Sequence, residues 1–112
     1  MIQIHQAQAP LSPGFFAAVF LREGDLATVT LRALRAGQHA HVADVSAFSL
    51  EEAFSLTQNL DAPWTNGHRV RMRVRGQCRS TMTGDVFIHR GQAFVVAHQG
   101  FLPLPQETAQ AA

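Results

Sequence analysis

Four arginines, Arg69, Arg71, Arg73 and Arg75, alternate with Val70, Met72 and Val74 in the stretch HRVRMRVRGQCR, which Arg79 closes. The chain has no lysine, so all 9 of its Lys and Arg positions are arginine, and more than half of them crowd into this stretch. A guanidinium is a planar fork of donors that pairs bidentately with phosphate or carboxylate. At the strand period of two, the alternating arginines share one face and Val70, Met72 and Val74 the other. At 100° per residue they would scatter around a helix. The stretch is therefore predicted to be a strand whose arginine face, Arg69, Arg71, Arg73 and Arg75 with Arg79 beyond them, meets an anionic macromolecule, either nucleic acid or an acidic protein surface.

Such a row does not require a ligand. Neighbouring arginines stand about 7 Å apart and repel by roughly 0.6 kcal/mol in water, more than halved by physiological salt. A fold tolerates that. Charged side chains also protect an edge strand from aggregation, and cross-strand Glu or Asp can neutralise them. Stacking aromatics do not interleave with the arginines, and only Trp64 is near, which weakens a nucleic-acid reading.

Two further groups carry possible chemistry. His39 and His41 share a strand face, the beginning of a metal site. Asp44, at a strict period of two, falls on the opposite face, no spacing supplies a third ligand, and neither a metal nor a cofactor is predicted. The segment RSTMTGD places Ser80, Thr81 and Thr83 ahead of Gly84 and Asp85. It reads as a turn in which hydroxyl and carboxylate side chains bond local backbone. Its alternative is a small hydrolase or transferase site using Asp85 and a histidine, with His68, His89 or His98 as the base. The single cysteine, Cys78, excludes an internal disulfide and a Cys-rich zinc cluster and fits a reducing compartment.

The elements that position these groups follow from length and pattern. At 112 residues, 46% hydrophobic and 15% charged, the chain fits one domain, expected over 1–104 with a disordered tail over 105–112. The opening residues lack a secretory signal, and the longest apolar run, FFAAVFL at 15–21, is far short of a membrane span and reads as a buried strand. A cytoplasmic protein without membrane contact is expected. The opening residues 1–14, closed by Pro10, Pro13 and Gly14, read as a short strand or arm followed by a turn, 26–36 fit helix and strand equally, and 39–45 reads as a strand. Ser49 three residues before Glu52 is a capping box opening an amphipathic helix over about 50–60. The segments VFI and AFVVA flank HRGQ as a hairpin, with Gly91 free to take a positive φ. The predicted class is α+β, a mostly antiparallel sheet of about four to five strands with the 50–60 helix packed on it.

The blocks AFSLTQN, PW, RSTMTGDV and FVVAHQGF resemble the small YodL-like domains of bacterial plasmids, integrative elements and phages. That family's pattern is an acidic helix ending in a Thr-Asn segment, a Ser-rich RSTSVGDV-type turn, a strand and a closing VA..GF. The resemblance spans Ala53 to Phe101 and implies signature positions at Phe54, Thr57, Trp64, Arg79, Ser80, Thr81, Gly84, Asp85, Gly100 and Phe101. Met82 and Thr83 depart from it, standing where the family carries Ser and Val. The arginine row lies between the matched blocks. What the resemblance implies is an accessory protein of a mobile element rather than a defined reaction. The expected function is a non-enzymatic binding module engaging an anionic partner. An anti-defence protein that inhibits a host CRISPR or restriction complex is the alternative of the same origin.

Overall fold

The computed structural model describes residues 1–8 and 23–105. The strand expected over 15–21 and nearly all of the expected tail lie outside the described residues. The order of elements is β1 (Ile2–Ala7), α1 (Glu23–Arg35), β2 (His39–Val45), α2 (Leu50–Leu56), a 3-10 turn (Trp64–Asn66), β3 (Val70–Met72), β4 (Val86–His89), β5 (Gln92–Val96) and β6 (Phe101–Pro103). They form an α+β fold around a 6-stranded sheet in the order β3-β2-β1-β4-β5-β6, with every neighbouring pair antiparallel. The sheet is slightly larger than the sequence led us to expect.

Both faces of the sheet carry a core. On one, Ala53 of α2 and Trp64 pack with Ile2, Ile4, Val45, Phe87 and Val96. On the other, Leu26 and Ala33 of α1 pack with Val86, Val95, Ala97 and Leu104. Val86 and Phe87 are therefore both fully buried although they point in opposite directions. The outer part of the sheet, β3-β2-β1, uses the second face differently. There it carries Gln3, His5, His41, Asp44 and Arg71, because Gln3 pairs with Asp44 and Asp44 with Arg71 in the ladders.

The ambiguous stretch at 26–36 is helix. Gly37, at φ 78°, donates to the Leu34 carbonyl at 3.1 Å, and Gln38 donates to that of Ala33 at 2.9 Å. This is a Schellman cap, and the left-handed residue it needs is why a glycine stands there. The hairpin is tighter than HRGQ implied. His89 pairs with Gln92, so the connection is Arg90–Gly91 alone, with φ of 53° and 80° as a type I′ turn requires.

Three expectations are corrected. The second helix ends at Leu56 instead of running to residue 60, because the Thr57 hydroxyl donates back to the Ala53 carbonyl at 2.9 Å and closes the last turn. Leu60 is consequently 84% exposed rather than part of an apolar face. The arginine stretch is strand only from Val70 to Met72, so it is not one face of four. Finally, the register between β1 and β2 slips by one residue between Ile4 and His5. That bulge at Val42 turns Asp44 to the same face as His41, where uninterrupted alternation would oppose them.

Candidate arginine and turn site

The five arginines divide by partner. Arg69 leaves the strand face and crosses to α2, where its guanidinium donates to Glu52 Oε1 at 2.9 Å and its Nε to the Ser46 carbonyl at 2.8 Å. Glu52 also accepts from the Phe48 amide at 2.7 Å, while the Glu52 amide donates to Ser49 Oγ at 3.0 Å. The Phe48 amide first and Arg69 second hold the Glu52 carboxyl below the usual range. Arg73 donates across the sheet to Asp44 Oδ2 at 2.7 Å, beside the 2.8 Å contact of Asp44 with His41. Burial opposes ionisation of Asp44, but His41 and Arg73 together hold its pKa below the ordinary value. Arg71 and Arg75 are exposed, and neither has a hydrogen bond or ion pair among the described residues.

Arg79 belongs to the fold. Asp85 is fully buried, and each of its oxygens receives two donors. Oδ1 accepts from Arg79 Nη2 at 2.7 Å and the Ala7 amide at 3.0 Å, and Oδ2 from Arg79 Nη1 at 2.7 Å and the Met82 amide at 2.8 Å. The same guanidinium donates to the Ala7 carbonyl at 3.0 Å, and its bonds to Asp85 hold its pKa above that of a free arginine. The Arg79 carbonyl accepts from Trp64 Nε1 at 2.7 Å and Gln6 Nε2 at 2.9 Å. Trp64 is thus a core residue with its one polar atom satisfied, and only 3% of it is exposed for stacking.

The remainder of the turn is stitched to the end of α2. Thr81 Oγ1 lies 2.7 Å from Thr57 Oγ1 and accepts from Gln58 Nε2 at 2.9 Å, and the Thr81 amide donates to the Thr57 carbonyl at 3.0 Å. Asn59 donates its amide to Ser80 Oγ at 2.8 Å and its side chain to the Cys78 carbonyl at 3.0 Å, and accepts from the Trp64 amide at 2.8 Å. Gly84, at φ 99°, presents its carbonyl to His39 Nε2 at 3.0 Å. The turn itself is Thr83–Gly84, closed by the Asp85 amide on the Met82 carbonyl at 3.0 Å; Ser80 and Thr81 precede it on the stretch bonded to α2, and Asp85 offers no exposed oxygen to a substrate. Phe54 and Phe101, the outlying signature positions, meet edge to face at 6.4 Å. The parts missed from sequence are Gln6, Glu52 as an arginine partner, and the Gln58 and Asn59 side chains. Polar residues directly after a helix, facing a Ser-Thr turn, were the available signal.

His39 and His41 share a strand face as expected, the register with β1 being unbroken between them. His41 stacks on His5 of the neighbouring strand, ring centres 4.5 Å apart, and His5 bonds Gln3 Oε1 at 2.9 Å. Among the described residues no group of three His, Cys, Asp or Glu side chains is arranged to hold a metal ion. Burial first, then the neighbouring His41 and His39, lower the His5 pKa to about 4, and burial also lowers that of His39.

Where β3 leaves β2, the chain bends through residues 73–76 before reaching Arg79. A cleft of about 410 Å³ lies beside this bend, with residues 74, 75 and 77–79 on the loop side and, on the strand side, Ala40 and Val42 of β2 together with Gln6, Ala7 and Gln8 at the end of β1. Burial raises the Cys78 thiol pKa. No helix among the described residues is long and apolar enough to cross a membrane. No family model matches the chain, and no curated protein or solved structure matches it.

The division of the arginines has a stability signature. Arg73→Gln strips a partner from nearly buried Asp44 and is expected to cost about 1 kcal/mol, discounted for the half-exposed guanidinium. Arg71→Gln and Arg75→Gln are expected to stay within about 0.5 kcal/mol of the parent in urea denaturation. Equal losses for all three would contradict the assignment.

His5 makes stability depend on pH. The unfolded chain takes up its proton near the ordinary 6.5 and the folded chain only at about 4. The contribution is present above the unfolded value and is lost as pH falls through this window, by about 1–2 kcal/mol after screening. Proton NMR titration should place the His5 midpoint near 4, and His5→Gln should flatten stability over the same window. A midpoint near 6.5 would contradict it.

Proposed function

We propose that the protein is a non-enzymatic binding module of a bacterial mobile genetic element that engages an anionic macromolecule in the cytoplasm. The observation that carries this reading is the pair Arg71 and Arg75, exposed and without a carboxylate partner among the described residues while Arg69, Arg73 and Arg79 each have one. The backbone that carries each guanidinium is already ordered, so meeting a phosphate or carboxylate costs only the rotamer freedom of the side chain. The mobile-element setting rests on the resemblance of the 53–101 blocks to YodL-like domains. A binding role also agrees with the turn chemistry, since Asp85, Thr81 and Ser80 are committed to the fold.

The expected contact is small. Two free guanidinium groups release about two counterions, so the logarithmic salt slope should be near −2, far shallower than that of a dedicated DNA-binding protein. On a heparin column at low ionic strength the protein should be retained, and Arg71→Ala/Arg75→Ala should elute at clearly lower salt with an unchanged unfolding curve. Flow-through of the parent protein at low salt would contradict an anion-binding role.

A further inference from the structure

The cleft beside the 74–79 loop narrows the choice of anion. We infer that it receives an extended acidic peptide segment of a protein partner, with a carboxylate held by Arg75 and the loop amides; this rests on the anion-binding reading above.

Three observations converge there. None of the backbone N–H groups of residues 74–78 donates to another described residue, and Gly76 at φ 81° turns the loop in their midst. Successive unpaired amides around a left-handed residue form a concavity that attracts an anionic oxygen. Arg75 stands on the same wall, exposed, and no carboxylate lines the cleft. The third observation is the sheet edge. β3 covers β2 from Ala43 to Val45, the Arg73 amide takes the Val42 carbonyl at 2.8 Å, and ahead of that bond no strand among the described residues covers this edge. An extended peptide can add there by main-chain pairing, the mode in which backbone bonds supply affinity and side-chain pockets supply selectivity.

The lining favours peptide over nucleic acid. Ala40, Val42, Val74 and Cys78 offer apolar contact for aliphatic side chains, and no aromatic ring lines the cleft for a base to stack on. The Arg79 guanidinium is committed to Asp85, so one cation serves the cleft, enough for a carboxylate and too little for a phosphodiester backbone.

The test uses the full chain and three labelled probes in fluorescence anisotropy: a short peptide alternating Glu with Thr, the same peptide with Lys for Glu, and a mixed-sequence single-stranded oligonucleotide. The Glu peptide should bind and the Lys peptide should not. Arg75→Ala, which removes no hydrogen bond or ion pair to a described residue, should weaken the Glu peptide about tenfold, the loss of one charge-assisted hydrogen bond. Hydrogen exchange should slow at the amides of 74–78 when the Glu peptide is present. Binding of the oligonucleotide without the Glu peptide would overturn this inference and leave the anion-binding reading standing. No binding of either would overturn both. Glu-peptide binding indifferent to Arg75→Ala, with protection elsewhere, would overturn the placement in the cleft.

Discussion

A carboxylate removed entirely from water must have its charge met by donors fixed in place, since its desolvation otherwise costs several kcal/mol. Asp85 imposes that constraint. Its four acceptor sites are filled by Arg79, by the Ala7 amide at the end of the first strand, and by the Met82 amide within its own turn. The groups that satisfy it come from three parts of the chain, so satisfying one charge fixes the end of β1, the turn before β4 and the loop that carries Arg79. Trp64 and Gln6 then take their places from the Arg79 carbonyl. The Thr57, Gln58 and Asn59 contacts extend the same lock to the end of α2.

This lock explains the distribution of charge. Arg79 is spent on the interior, Arg69 on the helix that packs across the sheet, and Arg73 on a nearly buried aspartate in the adjacent strand. Of the five arginines in the 69–79 stretch, Arg71 and Arg75 remain outside. Because Arg79 is anchored, the loop from Val74 to Cys78 is held at both ends, at β3 and at the Asp85 hub. It can therefore leave its backbone amides unpaired without collapsing onto the sheet. The binding proposal depends on this: an anchored loop presents donors at a small ordering cost, and a mobile one would lose much of the gain.

The sequence made the architecture legible where local chemistry decides it. Ser49 and Glu52 announced α2, Gly91 the hairpin, and alternation the strands, because caps, turns and the two-residue period are properties of neighbouring residues. Residues 26–36 were readable only as helix or strand, since the apolar positions fit both periods and Gly37 acts as a cap in only one of them. The arginine row was legible as strand only over Val70–Met72, and its division could not be read, because Glu52 and Asp44 lie far away in sequence and their pairing is fixed by packing. The bulge at Val42 left no mark in the alternation of HAHVADV, so the face of Asp44 could not be read. In RSTMTGD the Asp85 bond to the Met82 amide is the local kind expected, whereas Ser80 and Thr81 bond the distant end of α2. The depth of the turn was hidden, as nothing in the segment says that Asp85 would be fully enclosed.

A double-mutant cycle on Arg79 and Asp85 tests this account most directly. Urea denaturation would be measured for the parent, Arg79→Met, Asp85→Asn and the combined variant. If the pair is the lock, each single change costs about 3 kcal/mol or more, because it strands the other partner. The double variant then falls short of the sum by at least about 2 kcal/mol. Additive losses, with a coupling under about 0.5 kcal/mol, would show that the two residues act independently and that the turn is held by other contacts.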